Sequence, residues 1–179
     1  MINASTIFPK QLARSLGLDK YGKIMCGDPS DPDFQHLFNG YYRIRRNEEW
    51  RKEYYSLFAR VKKEKSDVTF EYILRELFKI EGKVEASFSS KMLATIDPSK
   101  PVWDQYVLQN LHLELKGKNQ KEKLENAVTL YRSIEAWYSE YLGTDEALDN
   151  LETFNSMLPD YAGIHDVKKI DCLLWSMRE

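Results

Sequence analysis

Residues 70–82 read Phe70-Glu71-Tyr72-Ile73-Leu74-Arg75-Glu76-Leu77-Phe78-Lys79-Ile80-Glu81-Gly82. Phe70, Ile73, Leu74, Leu77 and Phe78 recur at steps of three and four, which gathers them on one face of an α-helix; a half-buried strand would alternate instead. Gly82 follows the last apolar position and suits a helix end, because without a Cβ it enters the left-handed region at little steric cost. Ser66-Asp67 offers side-chain acceptors for the free amides at the other end. This is the cleanest apolar face in the chain, and it predicts a helical fold.

The same rhythm continues on both sides, and β-branched runs are scarce. Upstream, Asn47 followed by Glu48-Glu49 opens a helix to about residue 64, since carboxylates favour the positive helix end. Asp31-Pro32 caps and starts a short helix that stops at Asn39-Gly40. Pro9 to Leu18 reads as a short helix closed by Gly17, with Gly22, Gly27 and Asp28-Pro29 marking an irregular connection after it.

Downstream, Val84 to Ile96 turns Val84, Phe88, Met92 and Leu93 inward, while the small residues Ala86, Ser87, Ser89 and Ser90 permit close helix approach. Pro98 ends that helix, and Asp104 can cap the next one, to about Leu111. Gly117 and the charged run Lys116 to Lys123 make a surface turn. The longest helix spans about Gln120 to Leu142, and Thr144 caps a short acidic helix carrying Leu148, Leu151 and Phe154. A last helix around Asp166 to Met177 carries Val167, Ile170, Leu173 and Leu174. The expected fold is all-α: one domain of about seven or eight helices around Phe70, Ile73, Leu74, Leu77, Val128, Tyr131 and Ile134.

At 179 residues with 42% hydrophobic and 13% aromatic content, one chain can bury a core without staples, and nothing indicates disorder. Cys26 and Cys172 match no ligand spacing, so they read as free thiols and no metal site is expected. Met1-Ile2-Asn3-Ala4-Ser5 lacks a charged stretch followed by an apolar one, and no apolar run nears the roughly 20 residues a bilayer span requires. That predicts a cytoplasmic chain without a membrane partner.

The net charge is -2, but it is unevenly spread. Residues 41–65 carry nine Lys/Arg against four Glu, whereas residues 144–160 carry five acids and no base. Such faces steer a partner of opposite sign. The segment Tyr41-Tyr42-Arg43-Ile44-Arg45-Arg46 interleaves rings with guanidinium groups, the composition of a surface that stacks bases and pairs phosphates. It equally fits rings that pack while the arginines reach acids such as Asp145 to Glu152.

Phosphate loops, GxSxG, HExxH and EF-hand spacings are absent, and no cofactor signature replaces them. His36, His112 and His165 lie far apart and suit surface or capping roles. Ser87 and Lys91 share a helix face, the spacing by which a neutral amine could take a hydroxyl proton; the small residues serve helix packing equally well.

The most distinctive passage runs from Val84 through Asp97-Pro98-Ser99-Lys100 to Pro101-Val102-Trp103-Asp104-Gln105-Tyr106-Val107. Over about residues 80–113 it resembles the helix-hairpin-helix DNA glycosylase superfamily. That family is all-helical and places a Pro-hydrophobic stretch before an Asp that opens a helix, with Val or Ile three residues on. The resemblance implies that Asp104 is the carboxylate that activates water or stabilises the sugar cation after a base leaves the stack. It further implies Trp103 near that base and Arg43, Arg45, Arg46 and Lys83 on phosphates. The pattern departs from the family at Ile80-Glu81-Gly82-Lys83, where a Leu-Pro-Gly-hydrophobic-Gly turn is usual. Near Phe88 some members carry a lysine; here Lys91 comes a turn later. Asp104 is also fully explained as a helix cap. Two functions therefore stand: a glycosylase-like nucleic-acid-binding protein, and a non-catalytic helical module that binds a protein partner.

Overall fold

The computed structural model describes residues 2–11, 17–64 and 68–177. Among them it contains ten α-helices and no strand. In chain order these are α1 (Ala4–Gln11), α2 (Leu18–Cys26), α3 (Pro32–Tyr42), α4 (Glu48–Glu64), α5 (Phe70–Glu81), α6 (Ala86–Ile96), α7 (Gln105–Asn110), α8 (Gln120–Tyr141), α9 (Asp145–Met157) and α10 (Asp166–Ser176). A 3₁₀ turn at Pro159–Tyr161 joins the last two.

Helix α5 buries Phe70, Ile73, Leu74 and Leu77 and ends at Gly82, whose φ of 67° is the left-handed conformation its position requires. Its cap is Thr69, which accepts from the Tyr72 N–H at 3.1 Å; the expected Ser66-Asp67 cap lies outside the described residues. Most of the other starts follow the local chemistry. Asp31, Asn47, Asn119 and Thr144 accept from Asp33, Trp50, Glu122 and Ala147 amides at 2.9, 2.9, 3.0 and 3.2 Å.

Two expectations near the N-terminus are corrected. The stretch read as an irregular connection contains α2, because Leu18, Tyr21 and Ile24 are buried at helical spacing while Gly22 falls on the exposed face. Helix α3 does not stop at Asn39-Gly40. It runs on to Tyr42 because Phe34, Phe38 and Tyr42, four residues apart, form one buried stripe. Arg43 ends it with a φ of 55°. Of the short helix expected from Pro9 to Leu18, residues 12–16 lie outside the described residues.

Around α3 and α4 the interior is aromatic: Phe38 packs against Phe58 at 5.4 Å and 67°, and Phe34 meets Phe58 at 5.7 Å and 72°, the edge-to-face geometry that ring quadrupoles favour. A second centre stacks Phe70 on Tyr131 at 3.9 Å, joining α5 to α8. All seven residues expected at the core are buried. Helix α10 packs on α1, α7 and α9. The chain's start is held to α9 by Asn150, whose Oδ1 accepts from the Ala4 N–H at 2.8 Å and whose Nδ2 donates to the Ile2 carbonyl at 3.1 Å.

Candidate functional site

Helix α6 carries an unusual load of buried polar side chains: Ser89, Ser90, Lys91 and Thr95. The hydroxyls are satisfied locally. Ser89 Oγ donates to the Glu85 carbonyl at 2.9 Å, Ser90 Oγ to Ser87 at 3.0 Å and Thr95 Oγ1 to Lys91 at 2.8 Å, which lets polar residues sit in a packed helix. Lys91 does not engage Ser87. Its Nζ donates to the Tyr42 carbonyl at 3.4 Å and lies over the Phe88 and Tyr42 rings at 5.3 and 5.8 Å. The hydroxyl-amine pairing is therefore not formed.

The loop after α6 is fixed at both ends. Asp97 Oδ1 accepts from the Ser99 N–H at 2.9 Å, and Lys100 pairs with Glu135 at 2.9 Å. Just before Asp104, three successive residues meet buried side chains from three helices. Tyr131 Oη of α8 donates to the Pro101 carbonyl at 2.8 Å. The Val102 N–H faces the Asp171 carboxylate of α10 and favours its charged form. The Trp103 N–H donates to Ser90 Oγ of α6 at 2.8 Å.

Asp104 follows as the N-cap of α7, its Oδ1 accepting from the Tyr106 N–H at 2.9 Å. Its side chain stays half-buried. Lys91 and Asp171 both feel its charge. Burial pulls the Lys91 ammonium below the ordinary lysine range, and the Asp104 carboxylate opposes that. Burial pushes the Asp171 carboxyl up to about 6; Lys168, Tyr138 and Val102 counter it, and Asp104 adds to it. Tyr138 Oη donates to Asp171. Lys168 lies over the Tyr21 and Tyr41 rings at 5.1 and 5.7 Å. Its burial disfavours the ammonium, but the facing Tyr41, Cys172, Tyr42 and Asp171 outweigh that and hold it charged. Lys91, Lys168, Asp104 and Asp171 thus act on one another through their charges, with Asp104 at the half-exposed edge. Perturbed groups of this kind concentrate at functional sites, although structural ion clusters also produce them.

The other expected site residues are distributed unevenly. Trp103 is buried and parallel to Phe70 at 6.1 Å and 4°. Its ring packs in the core. Arg46 bonds Glu85, lies 3.7 Å from Glu81 and covers the Trp50 and Phe88 rings at 5.3 and 5.5 Å. Lys83 reaches Glu81 at 3.6 Å. Arg46 and Lys83 therefore converge on glutamates, and those of α9 are not their partners. Arg43 and Arg45 are exposed at the end of α3, directly after the Tyr42 whose carbonyl meets Lys91.

A 220 Å³ crevice lies between α5 and α8, and an open 390 Å³ depression runs along α9; Asp104 lines neither. Among the described residues no cluster of side chains is arranged to hold a metal ion. No family model, curated protein or solved structure matches the chain.

Asp171 and Lys168 were missing from the expected site because α10 reads as an apolar stripe. The signal lay in that stripe: four residues beyond Val167 and three before Leu174, position 171 falls on the inward face, yet it is an acid.

Proposed function

We propose that this chain is a glycosylase-like protein that binds nucleic acid and uses Asp104 as its reacting carboxylate. The observation that carries the reading is that Asp104 is half-exposed at a helix start, while the backbone before it is tied to α6 and α8 and Lys91 lies within its field. A carboxylate so held can orient a water or stabilise positive charge developing on a sugar. Arg43 and Arg45 serve phosphates, since Arg46 and Lys83 already have carboxylate partners.

Binding of short single- and double-stranded DNA across a salt series tests the reading. Wild type is expected to lose affinity steeply with salt. Replacing Arg43 and Arg45 together with Ala is expected to shrink the log–log slope by about 2, roughly one for each phosphate contact removed. No measurable affinity at low ionic strength would defeat the reading.

One observation favours a second reading, a non-catalytic module for a protein partner. The outer face of α9 exposes Asp145, Asp149 and Glu152 around Leu148, which is 59% exposed. An exposed leucine ringed by acids suits a basic, partly apolar partner. A partner captured by the wild type and retained after Asp149→Lys with Glu152→Lys would exclude that face. No helix among the described residues is long and apolar enough to cross a membrane.

A further inference from the structure

Helices satisfy their own backbone except at their ends, so backbone groups bound by side chains of a distant helix mark recognition of one chain segment by another. Residues 2–4, where the chain enters α1, are held in that way. The Ile2 N–H donates to Glu146 Oε1 at 2.8 Å, the Ile2 carbonyl accepts from Asn150 Nδ2 at 3.1 Å, and the Ala4 N–H donates to Asn150 Oδ1 at 2.8 Å. Glu146 and Asn150 stand one turn apart on α9 and so share a face. Tyr141, at the end of α8, steadies both: its Oη accepts from Asn150 Nδ2 at 3.0 Å and donates to Glu146 Oε1 at 3.2 Å.

Asn150 is 5% exposed, and residues 2–4 engage its amide oxygen and one N–H, the other N–H going to Tyr141. Emptied of that segment, a buried amide would keep an acceptor and a donor with nothing to bond, a state that folded proteins avoid. The bonds go to backbone alone, so they set the course of the bound segment and leave the choice of side chains to the space around it. Ile2 is 6% exposed and Ala4 1%, whereas Asn3 between them is exposed.

We propose that the Glu146 and Asn150 face of α9, braced by Tyr141, is a peptide-binding site that residues 2–4 fill as a built-in ligand. The class it takes is a peptide segment with a branched aliphatic residue followed two positions later by alanine. A partner that carries such a segment competes with the chain's own. The proposal needs neither the chemistry of Asp104 nor the outer, acidic face of α9.

The probe is an N-acetylated peptide of residues 2–7, labelled at its C-terminus and followed by fluorescence polarisation against the full chain. In the wild type the tethered segment competes with it at an effective concentration on the order of millimolar. Ala4→Asp puts a charge where a buried methyl sits, which ejects the segment. Because the open fraction sets the apparent affinity, Ala4→Asp is expected to bind the peptide about tenfold or more tightly than the wild type does. Adding Asn150→Ala is expected to abolish that binding with the far-ultraviolet dichroism unchanged. Equal binding by wild type and Ala4→Asp, no binding by either, or binding that survives Asn150→Ala would overturn the proposal. Should Ala4→Asp fail to fold, isotope-labelled wild type is mixed with about 5 mM unlabelled peptide, above the tether's effective concentration, and amide hydrogen exchange is read by NMR. The protein's own Ala4 amide is then expected to lose protection by about tenfold or more, while the Leu151 and Phe154 amides keep theirs. An Ala4 amide whose protection does not change sinks the proposal as surely.

Discussion

Asp104 serves as a helix cap whatever else it does, and its two roles separate by substitution. Asparagine caps about as well as aspartate, whereas alanine leaves the α7 amides without their acceptor and costs about 1 kcal/mol. Thermal unfolding should therefore show Asp104→Ala destabilised and Asp104→Asn close to wild type. For Asp171 the sign of the pH effect is set by its raised carboxyl, about 6 when folded against 3.8 ordinarily. Between those values the folded chain holds a proton that the unfolded chain gives up, so this group's contribution is full below the ordinary value and is lost as pH rises through 6. Urea unfolding of wild type and Asp171→Asn at pH 4 and pH 7 should show the wild type losing about 2 kcal/mol relative to the variant as pH rises. A gap independent of pH would contradict it. Asp104 was legible in the sequence because Pro101-Val102-Trp103 precedes it and a helical pattern follows. Asp171 was not, since its burial depends on Tyr138, 33 residues away, and on a loop still more distant.

Helices were readable wherever the apolar stripe and the cap agreed. Thr144, Asn47 and Asp31 carry both signals, and all three cap as expected. The miss at α2 and the early stop assigned to α3 share a cause. Gly22 and Gly40 carry the local signal of helix breakers, but both lie on exposed faces of helices whose other sides are buried, and the packing outweighs the roughly 1 kcal/mol that an interior glycine costs. A Cβ at Gly22 would meet nothing within 4 Å. Gly22→Ala is accordingly expected to stabilise the protein by about 0.5–1 kcal/mol. Gly82→Ala should do the reverse by about 1 kcal/mol, because its φ of 67° is one that a side chain resists. Chemical denaturation of the two variants reads both signs at once. In α9, Leu148 was counted with Leu151 and Phe154, yet it points outward; Ala147 and Asn150 take the inward places because α9 must receive the backbone of residues 2–4.

Across the molecule, the local charge excess seen in the sequence does not survive folding as a uniform basic face. Within that segment Arg46 turns to Glu81 and Glu85 and Arg60 to Glu76. Exposed pairs of this kind contribute little stability, but they cancel field. Arg43 and Arg45 stay exposed at the end of α3, as do Lys52 and Lys63 on α4. Spacing alone could not reveal this, since which cations are neutralised depends on helices that meet only in the fold. The glycosylase-like activity requires the Asp104 carboxylate. Release of free base from single- and double-stranded oligonucleotides bearing alkylated, oxidised or deaminated bases, measured for wild type and Asp104→Asn, tests it most directly. The expected result is release by the wild type and a fall of about 100-fold or more in the variant with its melting temperature unchanged; equal release by both, or none from either, would contradict it.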